Sequence, residues 1–409
     1  MPIAPLSARI NLEQSRKQAK ELLKSFKAGD RKTLDHIRWD HPRFRGLSDK
    51  EIMAGRFQLA DAQLVIARFH SFESWPKLLQ HIELLEKRDP AIMRFENAAD
   101  AIVGGDIPTL QRMLRENPEL THARSTRHQH APLIHYIAAN GIEGYRQVTP
   151  PNIIEVATLL LDAGAEVDAT SDAYGGGSTT LGLVATSAHP RRAGVQIPLI
   201  DLLLSRGAAI DGVPPGMTIV AGALANGCPE AARALVERGA RVDDVATAAG
   251  VGRLDMVIRL EPSATKSQLE KALVTASWYG PIEVMKYLLD RGVDVAAFDG
   301  TMTPLHSAAG RADLAMTRLL IERGAPLERK NSFGGTVLDS TLWFAYNSDP
   351  ADLARRDYPA VIDVLLAAGA KDDLYPEMKG YIDELYRRAG RARADRSLQM
   401  ATHRDTRST

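Results

Sequence analysis

Thr303-Pro304-Leu305-His306-Ser307-Ala308-Ala309, followed by Ala315-Met316-Thr317-Arg318-Leu319-Leu320-Ile321-Glu322-Arg323-Gly324-Ala325, reads as two short helices joined head to tail. Thr303 can cap the first helix, and Pro304 is tolerated in its first turn because no intrahelical bond is lost there. The paired alanines leave room for a second helix to approach closely. In the second run the apolar residues fall three and four positions apart and make one buried face. Gly324 then suits a left-handed C-terminal cap. The same closing run recurs along the chain, before Gly164, Gly207, Gly239, Gly292 and Gly369. Two of these intervals, 207 to 239 and 292 to 324, are each 32 positions long.

Weaker copies of the opening element precede the other closing runs. They are 177–185, 218–224 and 334–338, with helix–glycine–helix joins at Gly252 and Gly280. Thr303-Pro304-Leu305-His306 resembles the opening signature of ankyrin repeats, and the spacing lies near that family's period of roughly 33 residues. The resemblance implies an all-α ankyrin-repeat solenoid of about eight helix pairs over residues 90–373. With its short helical N-terminal extension, the chain resembles some bacterial ankyrin-repeat proteins. Residues 10–89 lie outside the repeat and read as a small helical domain, with helices over Leu12 to Lys27 and Leu59 to Phe69 and a third opened by Ser74-Trp75-Pro76. Its Phe69, Phe72 and Trp75 are expected to form its core and to help cover the first repeat. Residues 1–9 are read as a flexible lead, and residues 374–409 as a C-terminal helix with a partly disordered Arg-rich tail.

Across 409 residues, 51 basic side chains balance 51 acidic ones. The chain as a whole therefore has no pull toward polyanions. Both ends are basic, with Arg387, Arg388, Arg391, Arg393 and Arg396 in the tail. These runs read as solvated faces rather than nucleic-acid contacts. The single cysteine, Cys228, allows no internal disulfide, and no run is apolar and long enough for a membrane span. The expected compartment is the cytoplasm.

Catalytic constellations are not evident in the sequence. His135 and His306 sit at the fourth position of the repeat signature, where the resemblance implies a structural bond to loop backbone. His122, His128 and His130 crowd one segment, yet no cysteine or carboxylate completes a metal set. No cofactor is implied. Acidic pairs such as Asp243-Asp244 and Asp372-Asp373 fall at turns.

The positive signal lies on the face that, in ankyrin repeats, lines the concave groove. By resemblance the two residues before each join point there, which selects Trp278 and Tyr279, Arg311, and Trp343 and Phe344. Finger tips add Tyr174, Phe298, Asp299 and Phe333. Trp, Tyr and Arg dominate binding hot spots. The expected function is non-enzymatic binding of a protein or peptide partner in that groove. The alternative is a small-molecule or enzymatic site built from inserted loops, with Tyr145, Arg146, Ser178, Thr179 and His189 as candidates. Those insertions, at Gly141 to Asn152, His189 to Gln196 and Phe344 to Asp357, are longer than stacking requires.

Overall fold

A computed structural model describes residues 11–212, 218–348, 350–371 and 376–389, with backbone alone at 350–352 and 376–379. The lead at residues 1–9, the Asp372-Asp373 pair and the tail arginines Arg391, Arg393 and Arg396 lie outside the described residues. By its internal contacts the chain divides into two units, Met1–Arg241 and Val242–Thr409.

In the first unit, five helices come before the repeats: Leu12–Lys27, Arg31–Asp40, Asp49–Ala54, Leu59–Phe69 and Trp75–Glu86. They enclose their own core, including Leu22, Ile37, Ile52, Val65, Ile66, Leu78 and Ile82, with Trp75 packed at its edge. Two of the five were not evident from apolar spacing, and capping explains both. Asp30 accepts a hydrogen bond from the Lys32 N–H, and Ser48 forms a reciprocal capping box with Glu51. Ser74 does occupy the N-cap of the last helix, but its side chain makes no cap bond there.

Four helix pairs follow in this unit. They are Pro90–Gly104 with Ile107–Glu116, Leu133–Ala138 with Ile153–Asp162, Thr180–Ala185 with Gln196–Ser205, and Ile219–Ala225 with Pro229–Glu237. The second unit holds four more: Val245–Val251 with Leu254–Leu260, Lys266–Tyr279 with Ile282–Asp290, Pro304–Gly310 with Leu314–Glu322, and Val337–Asn347 with Tyr358–Ala367. Within each unit, first helices pack on first helices and second helices on second helices of the next pair. Among the described residues the array is helical apart from a finger hairpin, where Thr170–Ser171 pairs antiparallel with Ser178–Thr179, and an isolated antiparallel bridge between Arg124 and Pro132. Helix Pro376–Arg388 packs on the last pair and buries Ile382, Leu385 and Tyr386.

The closing glycines behave as their position demands, with φ between 82° and 103°. A side chain there would meet no neighbour, so the backbone conformation alone selects glycine. His135 Nε2 donates to the Ala169 carbonyl at 2.8 Å, and His306 Nε2 donates to the Gly335 carbonyl at 3.3 Å. Both histidines are fully buried and tie a helix to the following finger. Leu133–Ala138 is a 3-10 helix rather than an α-helix, ending at Ala139 in a left-handed conformation (φ 47°). The insertion that follows pulls the chain inward at that point.

That insertion carries a cluster of buried charge. Arg127 and Arg146 are each 1% exposed, and Glu143 likewise. Arg127 bridges Glu96 at 2.5 Å and Glu143 at 2.8 Å, and donates to the Tyr145 hydroxyl at 3.1 Å. Arg146 bridges Glu96 at 2.8 Å and donates to Asp100 at 2.6 Å. Tyr136 donates its hydroxyl proton to Glu143 at 3.0 Å. Burial alone would raise the Glu96 carboxyl, but Arg127 and Arg146 outweigh it and hold it at about 2. From the leading helices, His70 and His81 face the same cluster. Burial, with the Arg127 charge beside them, lowers His70 to about 3 and His81 to about 4.

Two outcomes follow from this cluster. Arg127→Met leaves two buried carboxylates, Glu96 and Glu143, to a single arginine, Arg146, and is expected to cost about 3 kcal/mol in urea unfolding. The folded histidines stay neutral, whereas unfolded ones bind protons below 6.5. Stability is therefore full above 6.5 and declines as pH falls toward the folded values, with Glu96 adding to the loss below 4.5. The urea midpoint should drop between about pH 7.5 and about pH 5, and His70→Leu should flatten that slope.

Candidate functional site

In the second unit, helix Lys266–Tyr279 ends where its neighbour crowds it. A Cβ at Gly280 would lie 2.5 Å from the Ala249 carbonyl oxygen. Trp278 and Tyr279 are thereby placed as the last two helical residues, both half-buried. Arg311 caps the next first helix. Its guanidinium donates to the Trp278 carbonyl at 2.6 Å and pairs with Asp313, so a cation sits on a helix C-terminus. Helix Val337–Asn347 is longer than the first helix it packs on, Pro304–Gly310, and carries Trp343 and Phe344.

Phe344 is half-buried and seats over Gly310, where an added Cβ would lie 2.4 Å from its ring. It meets Trp278 edge-on at 5.2 Å and Trp343 at 5.1 Å. Trp343 itself is 57% exposed. Three residues on, Tyr346 is 63% exposed and meets Tyr381 edge-on at 5.2 Å. The structure thus brings together Trp278, Tyr279, Arg311, Trp343 and Phe344. Tyr346 extends the same face and was missed, because only the two residues before each join were considered. An i, i+3 relation to Trp343 was the signal that could have found it.

The finger residues fill different roles. Phe298 lies beneath the Arg329 guanidinium, 5.1 Å from its ring centre. Asp299 accepts from the Thr301 and Met302 N–H groups at 2.8 and 2.9 Å, which fixes the finger turn. Phe333 is 82% exposed on a turn braced by Asn331, whose side-chain oxygen accepts from the Phe333 and Gly335 N–H groups. Tyr174 belongs to the first unit, is exposed, and donates to Asn140 Oδ1 at 2.5 Å.

The alternative ligand residues are dispersed. Ser178 and Thr179 line a cleft of about 270 Å³ with Tyr174 and Asn140. Ser178 Oγ there donates to the Ala173 carbonyl, and Thr179 Oγ1 accepts from the Gly182 N–H. His189 lies on the short helix Ala188–Arg192, its imidazole lowered by burial and by Arg192. Tyr145 and Arg146 turn into the buried charge cluster instead, where burial pushes the Tyr145 phenol up to about 12. His128 and His130 each face a separate carboxylate, Glu73 at 3.2 Å and Asp172 at 2.8 Å. Among the described residues no group of three His, Cys, Asp or Glu could hold a metal ion. No described helix is long and apolar enough to cross a membrane.

Residues 269–321, which cover most of two helix pairs of the second unit, match the family model for ankyrin repeats. Among curated proteins the chain is 25% identical over 304 residues to ankyrin repeat and KH domain-containing protein mask-1 of Caenorhabditis elegans. It is 36% identical over 72 residues to ankyrin repeat and SOCS box protein 11 of Homo sapiens and of Pongo abelii. The first alignment spans 71% of this chain and 11% of the relative, the second 18% and 22%. The chain therefore covers only a small part of each relative's length. Among solved structures it resembles the human ASB11 ankyrin repeat domain, at 20% identity and a TM-score of 0.34, over 67% of this chain and 98% of that one. The family match and the relatives support an ankyrin-repeat protein.

Gly310→Ala is expected to push Phe344 off its seat and cost about 1–3 kcal/mol. A red-shifted tryptophan emission, as Trp278 loses its edge contact, would accompany that loss.

Proposed function

We propose that the chain is a non-enzymatic binding module whose second unit takes a protein or peptide partner on its aromatic and arginine surface. Trp343 and Phe333 are the anchors, and Trp278, Tyr279, Phe344 and Arg311 frame them. Phe298 and Asp299 complete the surface on that unit, whereas Tyr174 belongs to the first unit and is left out of it. The observation that carries the proposal is the exposure of Trp343, at 57%, on top of a ring that is itself locked in place. Exposed aromatic surface is retained at a cost in solubility and marks interaction sites. Because Phe344 and Arg311 already fix the frame, little side-chain entropy remains to be lost on docking.

Ankyrin repeats generally serve as protein–protein interaction modules, and this reading agrees with that use. The names of the curated relatives mention KH and SOCS box segments of those proteins, and neither is carried over to this chain. The lone buried Cys228 fits a reducing cytoplasmic setting. A small ligand in the Ser178 and Thr179 cleft is the weaker reading, since both hydroxyls are engaged in internal hydrogen bonds.

The test is affinity capture from the source cell, followed by titration of the captured partner. Trp343→Ala with Phe333→Ala should weaken binding by about thirtyfold or more while the thermal midpoint stays unchanged. Trp39→Ala, which removes a still more exposed indole from the first unit, should bind as wild type does. Undiminished binding by the double variant would refute the assignment.

A further inference from the structure

One cavity apart from these surfaces gathers charges of both signs. Helices Arg31–Asp40 and Leu59–Phe69 both end at a cleft of about 210 Å³ in the first unit, walled by Trp39, Asp40, Arg45, Arg68, Ser71 and Glu73. Asp40, Arg45 and Arg68 make no side-chain hydrogen bond or ion pair with the described residues, although both arginines act on Asp40 through the field. Burial raises the Asp40 carboxyl to about 6 despite them. Arg68 Nε is buried without a partner. The partly buried Asp40 and Arg68 are left incomplete around one empty volume, with the exposed Arg45 at its rim, whereas Arg38 and Asp35 nearby pair directly.

Two further features shape the cleft. Ser71 closes helix Leu59–Phe69 at φ 65°, where glycine would sit without strain, and it is 9% exposed. A side chain in that conformation costs about 1 kcal/mol or more. Across from it, His128 holds the wall shut, its N–H donating to the Ser71 carbonyl at 2.8 Å and its ring facing Glu73 at 3.2 Å. Trp39, 81% exposed, stands at the mouth.

We propose that this cleft binds a free α-amino acid, with its carboxylate on Arg45 and Arg68, its ammonium on Asp40, and Trp39 over its side chain. The forked guanidinium suits a carboxylate, and an unpaired buried Nε–H lacks only an acceptor. Asp40 needs a cation, and the C-terminal ends of two helices add negative potential around it. A doubly charged anion such as phosphate would meet Asp40 and Glu73 as like charges. A zwitterion satisfies both signs at once, and the volume admits a molecule of that size. This site stands apart from the partner-binding surface proposed above.

The experiment titrates the full chain with a panel of the proteinogenic L-amino acids, by thermal shift and calorimetry near pH 7.5. At least one should raise the thermal midpoint. Its affinity should fall about tenfold or more in Arg68→Gln and in Asp40→Asn, each checked for fold by circular dichroism. The N-acetyl and methyl ester forms of that same amino acid remove one ligand charge each without touching the protein, and both should fail to bind. Trp343→Ala with Phe333→Ala should leave the titration unchanged, which separates this site from the partner surface. No shift with any amino acid, equal binding by both charge variants, or equal binding of the blocked ligands would overturn the proposal.

Discussion

Each helix pair has one apolar face that it cannot cover by itself. The rest of the architecture answers that constraint. Small residues such as Ala308 and Ala309, both fully buried, allow a neighbouring first helix to come close, while Leu and Val of the second helices fill the outer layer. The first and last exposed faces are closed by elements outside the repeat. At one end the leading helices present Phe72, His70 and His81 to the Arg127 loop. At the other, Tyr386 of helix Pro376–Arg388 donates to Asp363 at 2.5 Å and buries its ring.

The repeat was readable because its determinants are local. A left-handed glycine, a capping threonine and period-four apolar residues can each be recognised within a dozen positions, and the helices at Pro304–Gly310 and Leu314–Glu322 formed where those signals stand. The buried charge cluster was not readable. Arg127, Glu143 and Arg146 come from segments without apolar periodicity, where charge ordinarily means solvent, and Glu96 is a charged residue within an otherwise apolar helix face. Only the tertiary meeting of helix, finger and insertion converts them into a core. The same holds for the aromatic surface. Which ring is frame and which is exposed depends on Gly310 lying beneath Phe344, a contact across two pairs that spacing alone does not encode.

The insertions differ in purpose. Residues 141–152 deliver Arg146 and Glu143 to the interior. The second insertion places Gln196 so that its amide donates to the carbonyls of Val184, Ala185 and Ser187, serving the open end of helix Thr180–Ala185. The third extends the helix that bears Trp343 and returns through Asp357, which caps Tyr358–Ala367. Two of these therefore support the scaffold, and one enlarges the surface on which recognition is proposed. A long loop on a rigid frame is not by itself a sign of a pocket.

The Arg127–Glu96–Arg146–Glu143 cluster also bears on how such an array can change over generations. Repeat proteins commonly grow or shrink by whole units, since each unit meets only its neighbours. Here the opening units share ionised groups: excising the segment around residue 143 would remove Glu143 and Arg146 together, taking from Glu96 one of its two arginines, from Arg127 one of its two carboxylates and from Tyr136 its acceptor. Gain or loss of a unit therefore disturbs more bonds in the opening portion than among pairs that meet through apolar faces alone.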